Sequence, residues 1–186
     1  RRITCFCGIE PVDNFTGICQ YDELGAVGSF GNNSDTFWGA NIFTAGSSDP
    51  VSAVSTWAVS SDCEYEISIY TGVTAGNPVS GTLAGTETGS IDLPGYYTIL
   101  LGAPVAVVEG EMFSVVVKYR TPGYNYPLPY EYAEPDYTSA AVALPGQSFY
   151  SGDGTSWTDF QEQDKTANAC IKAFGPASAR GQTGIG

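Results

Sequence analysis

The chain has 186 residues, 42% of them hydrophobic and 13% aromatic, the composition of one folded domain with short tails. Seven Lys and Arg stand against twenty Asp and Glu, a formal net charge of -13, so nucleic acid and anionic membrane surfaces are disfavoured partners. Histidine is absent, which removes Ser–His–Asp and Cys–His catalysis and most zinc sites, and no apolar run approaches the roughly 20 residues of a spanning helix.

Residues 1–18 read as an N-terminal arm that carries two arginines, Cys5 and Cys7. The start "RRITCFCG" has no initiator Met and no signal-peptide pattern, as expected of a processed or excised piece. From there to residue 175 the chain reads as strands. "FWGANIFTA" (37–45) and "VSAVSTWAVS" (51–60) flank a Ser-Ser-Asp-Pro turn. "CEYEISIYTG" (63–72) sets Cys63, Tyr65, Ile67 and Ile69 on one face and Glu64, Glu66 and Ser68 on the other, so one face is buried and one is wet. "GNPVSG" (76–81) is a turn cluster, and "TLAGTETGSIDL" is a weaker strand region. "GYYTILLGAPVAV" (95–107) and "EMFSVVVKYRT" (111–121) are the strongest strands, joined by a turn at Glu109-Gly110. Phe113, Val115, Val117 and Tyr119 share a face of the second.

"TPGYNYPLPYEY" (121–132) follows. Pro122, Pro127 and Pro129 each lack a ladder donor, so the stretch is expected to be a loop or an edge, not a central strand. "QSFYSGDGTSWTDF" (147–160) predicts a hairpin turning at Gly152-Asp153-Gly154. "DFQEQDKTANA" (159–169) has room for one helical turn, "NACIKAFG" (168–175) predicts a closing strand, and residues 176–186 read as a Gly-rich tail or linker. Short strands at regular spacing predict an all-β fold, an antiparallel β-sandwich of jelly-roll or lectin-like type.

Candidate ligand residues are the rings and one carboxylate that can meet a sugar: Tyr124, Tyr126, Tyr130, Glu131 and Trp157. The blander reading has the tyrosines covering one end of the sandwich, the commoner use of Tyr. On that reading Tyr126→Ala lowers the melting temperature. Trp38 is expected to be buried, and Lys118 and Lys172 either pair inside or snorkel. Asp153 and Asp159, or Asp22 and Glu23, offer oxygens to Ca2+, but without EF-hand spacing, so turn chemistry explains them better. No catalytic residue, metal site or other cofactor is predicted.

Five cysteines, Cys5, Cys7, Cys19, Cys63 and Cys170, cannot all pair within one chain. Cys5, Cys7, Cys19 and Cys63 are disulfide candidates, within the chain or to a neighbour, and Cys170 is the expected buried thiol. Asn14-Phe15-Thr16 and Asn32-Asn33-Ser34 make Asn14 and Asn32 glycosylation candidates.

"QYDELG", "WGANIFTA", "YEISIYTG", "SGTLAG", "PGYYTILL", "FSVVVKYRTPGYNYPLPYEY", "GQSFYSGDGTSWTD" and "ACIKAF" occur in this order. Together they resemble the lectin-like domain that follows the catalytic domain in secreted papain-type cysteine peptidases of archaea and bacteria, over about residues 19–175. The resemblance implies a β-sandwich, a place outside the cell and an ancillary, non-catalytic role; it carries no sugar-binding residue over. The peptidase domain that precedes the module in that family is not in this sequence, and the cysteine-bearing arm departs from the pattern. Two functions follow as expectations. One is a module at the cell surface that binds a glycan or a protein. The other is a structural subunit of an extracellular sheath, surface layer or filament, its partners copies of itself, joined by arm exchange, strand edges and inter-subunit disulfides.

Overall fold

A computed structural model describes residues 14–178. The arm cysteines Cys5 and Cys7 and most of the Gly-rich tail lie outside them. The chain forms β1 (Ile18–Cys19), β2 (Gly28–Phe30), β3 (Thr36–Thr44), β4 (Val51–Ala58), β5 (Cys63–Thr71), β6 (Thr82–Ile91) and β7 (Gly95–Val105). It continues through β8 (Met112–Arg120), β9 (Leu128–Glu131), β10 (Ser148–Ser151), β11 (Thr158–Asp159), the single turn α1 (Phe160–Gln163), β12 (Asn168–Ala169) and β13 (Ile171–Phe174). A four-stranded sheet in the order β1-β13-β4-β7 faces a six-stranded sheet in the order β11-β10-β3-β8-β5-β6, and a three-stranded sheet, β12-β9-β2, adjoins them. All pairings are antiparallel. The fold is an all-β sandwich.

Alternation builds the core. Phe113, Val115, Val117 and Tyr119 of β8 point inward with Cys63, Ile67 and Ile69 of β5 against Val54 of β4 and Ile171 of β13. Each such aliphatic side chain stabilises the fold by about 1.5–3 kcal/mol through burial. On the wet face of β5, Glu64 and Glu66 pair with Arg120 and Lys118 of β8 at 2.7 and 3.8 Å. The six-stranded sheet is covered outside as well: Ala40, Ile42, Val116 and Phe149 form a second, smaller cluster with Val73. Most polar groups inside are matched. Asn41 donates to the carbonyls of Ala169 and Ile171 at 3.1 and 2.8 Å and accepts from Ser148 at 2.6 Å, stitching the sheets together.

Two features depart from the sequence reading. First, β9 runs through the proline-rich stretch and is the middle strand of its sheet. Pro129 is tolerated because its carbonyl accepts from Cys170 N at 3.0 Å, on the side where β12 stops at Ala169, so its missing donor faces the end of the partner strand. Second, the closing strand is two strands in different sheets, broken at Cys170. The expected turn at Glu109-Gly110 joins β7 to β8 by crossing from one sheet to the other.

Both ends of the described chain meet at one corner. Thr16 N donates to Pro176 O and Ser178 N to Asn14 O, each at 2.8 Å, and Gly175 N donates to Gly17 O at 3.0 Å.

Candidate functional site

The tyrosine loop is fixed by local chemistry. Tyr124 N donates to Thr121 O at 2.9 Å across Pro122 and Gly123, whose φ of 81° gives the Pro-Gly order of a type II turn. Thr121 Oγ1 donates to Tyr124 O at 2.7 Å, the Tyr124 hydroxyl shares a 2.6 Å hydrogen bond with Ser29, and Asn125 Nδ2 donates to Asn33 Oδ1 at 3.1 Å. Gly31 lets the loop close: a Cβ there would lie 2.7 Å from Asn125 O. Tyr124 and Tyr126 stand edge to face at 6.0 Å, and Tyr126 is 46% exposed. Tyr124 is held half-buried by its hydroxyl, and Tyr126 is displayed beside it.

The other predicted ligand residues lie elsewhere. Tyr130 is half-buried and stacks on Tyr132 at 5.0 Å and on Phe160 at 5.8 Å, within a ring cluster that includes Phe30 and Tyr150. Glu131 points the opposite way along β9 and is 1% exposed, accepting from Leu24 N at 2.6 Å. It does not present its carboxylate to solvent as a sugar acceptor. Trp157 is half-buried on the smaller core cluster, with its indole N–H enclosed and unpartnered. The structure brings Tyr124 and Tyr126 together. It assigns Tyr130 to packing and Glu131 to a buried polar network.

The sequence offers an inward pair for Lys172 but not its partner or the network around it. Asp22 is fully buried, and Lys172 Nζ lies 3.1 Å from its Oδ2 while donating to Asp22 O and Gln20 Oε1, each at 2.7 Å. The Cys170 thiol is buried within electrostatic reach of the same carboxylate. Burial pushes the Asp22 carboxyl up, against the pull of Lys172, and pushes the Cys170 thiol well above its ordinary range. A thiol held protonated this way is a poor nucleophile. The sequence signal was a lysine inside the apolar run "ACIKAF". Lys118, by contrast, pairs in the open and sits 5.5 Å from the centre of the Trp38 ring, which is half-buried rather than buried.

Asp153 accepts from Thr155 N, Ser156 N, Ser156 Oγ and Ser151 Oγ at 2.7–3.1 Å, and these bonds hold its carboxyl well below the usual range. The β10–β11 connection is therefore a longer loop, residues 152–157, folded around Asp153 rather than a tight Asp-Gly turn. Among the described residues, no group of three or more Cys, Asp or Glu side chains is arranged to hold a metal. Cys19 and Cys63, read from sequence as disulfide candidates, form no disulfide among the described residues; Cys63 is 1% exposed in the core, whereas Cys19 is only half-buried. Asn32 is exposed beside the tyrosine loop, and Asn14 is half-buried at the corner where the ends meet.

This architecture defines an antiparallel sandwich of the lectin-like class. The lectin-like domain family model matches residues 18–175, and the chain belongs to that family. Two solved structures of Cwp84 share the fold. One, a clostridial cysteine protease after propeptide cleavage, has a TM-score of 0.71 at 19% identity, covering 91% of this chain and 42% of that one. The other holds the cysteine protease and lectin-like domains of Cwp84, a surface layer associated protein of Clostridium difficile, with a TM-score of 0.69 at 18% identity and coverage of 91% and 37%. The chain thus spans well under half the length of these proteins. No curated protein matches it.

Proposed function

We propose that this chain is a non-catalytic module that works outside the cell and holds a glycan at the cell surface through the Tyr124–Tyr126 pair. The carrying observation is the pair itself: two rings at an angle, one 46% exposed, on a loop already tied down on both sides. Such a pair binds a sugar's apolar face with little ordering cost. Kinship with a lectin-like domain, and the surface-layer association of Cwp84, support the location and the ancillary role. The test is a glycan array with the intact chain and with Tyr126→Ala. A hit lost in the variant, at unchanged melting temperature, supports the reading; hits that survive the substitution place the ligand elsewhere. A general peptide substrate should give only background, and turnover that a thiol-alkylating reagent abolishes would overturn the non-catalytic role.

A second reading, a structural subunit of a sheath, layer or filament, is favoured by one observation. The two large sheets end on the same side in long strands, β6 and β7, with Leu83, Leu93 and Leu100 exposed around them.

A further inference from the structure

We propose that the cleft between β6 and β7 accepts residues 1–13 of a second copy of this chain, laid along β7 as an added strand. The inference rests on the structural-subunit reading and names the acceptor.

The acceptor is built by how the two sheets meet. Among the described residues, β7 pairs only with β4 and β6 only with β5. At one end the sheets close. Val105 of β7 fills the space left by Gly85 of β6, where a Cβ would lie 2.4 Å from Val105 Cγ2, and Glu87 accepts from Gly102 N at 2.8 Å. At the other end they part and leave a cleft of about 670 Å³, lined by Tyr65, Ile91, Leu93, Tyr97, Ile99 and Leu100. Leu93 and Leu100 are each 68% exposed. β7 carries no charged residue, so the devices that keep an edge from pairing are few.

The occupant follows from chemistry and reach. In an extended segment Ile3, Cys5, Cys7 and Ile9 share one wholly apolar face, and Thr4, Phe6 and Gly8 fall on the other, which adds one large ring. Thirteen residues reach about 43 Å when extended, and the part of β7 beside the open cleft, Gly95 to Leu100, spans about 20 Å. Arg1 and Arg2 suit a cleft whose lining includes Asp92. β1, which follows this segment, lies at the edge of the four-stranded sheet opposite β7. One copy therefore offers its segment where the next offers its acceptor, a head-to-tail contact that repeats.

The test uses the full chain carrying Leu100→Cys, or Thr98→Cys on the same strand should the first not fold. Labelled (15N) and unlabelled protein are unfolded, mixed, refolded in reductant and treated with a short bismaleimide. Mass spectrometry then maps the bridges, and sedimentation gives the state of assembly. Bridges between the introduced thiol and Cys5 or Cys7 that join heavy and light chains support the proposal. Bridges confined to one isotope show the segment folding on its own chain and overturn it. Assembly without such bridges overturns the proposal and leaves the structural-subunit reading standing. A monomer at every concentration overturns both.

Discussion

Phe160 and Tyr126 mark the two ends of what an aromatic residue does in this chain. Phe160 is fully buried beneath Tyr130 and Tyr150, so Phe160→Ala should cost about 3–5 kcal/mol. Tyr126→Ala should stay within about 0.5 kcal/mol of the parent, because 46% of the residue is exposed; the sequence reading expects a clear loss instead, and the measured difference decides between them. Denaturant unfolding of the two variants checks both. Glu131 gives a pH signature. Burial raises its carboxyl, Leu24 N–H opposes that, and nearby Asp22 adds to it. The folded value then lies above the unfolded one of about 4.3, so the native state takes the proton first. That stabilisation is complete below the unfolded value and is lost as pH rises through the folded one. Glu131→Gln should therefore gain less thermal stability than the parent when acidified from pH 7 to pH 4, read by melting curves.

At the scale of elements, the joint between the small sheet and the large one depends on Gly39 of β3. Leu128 of β9 sits over it, and a Cβ there would lie 2.4 Å from Leu128 Cδ1. Gly39→Val should destabilise the sandwich by about 1–3 kcal/mol through overpacking, measured as a shift in the urea midpoint at unchanged slope. The alternation in "CEYEISIY" and "FSVVVKYR" makes β5 and β8 legible in the sequence, because each buries one face. β9 is not legible there. Its prolines argue against pairing, and only the place where β12 ends, a tertiary fact, removes the conflict at Pro129. The same holds for β12 and β13: nothing in "NACIKAF" announces that Cys170 is where the chain changes sheets. At the site, the Pro-Gly turn and its tyrosines are readable as a loop. The inward turn of Glu131 is not, since the group it bonds, Leu24 N, is far away in sequence.

For the whole molecule, charge governs how copies meet. A chain with formal net charge -13 repels its own kind at low salt. Screening shortens that reach from about 10 Å at 0.1 M to about 3 Å at 1 M salt. If copies associate through the apolar cleft, their affinity should rise over this range; sedimentation equilibrium measures it. An affinity that fell with salt would point instead to charge-paired contacts.

The corner where the two ends meet sets how the molecule carries load. Asn14 to Gly17 and Gly175 to Ser178 run side by side, joined rung by rung. Tension between the two ends opens those rungs one at a time, as a zipper opens, and the Lys172–Asp22 clip meets the force only after the rungs have parted. A pull that enters through one end and leaves through the β7 edge acts across the width of the four-stranded sheet and loads many hydrogen bonds together. The same sandwich is compliant when pulled by both ends and stiff when pulled across the sheet.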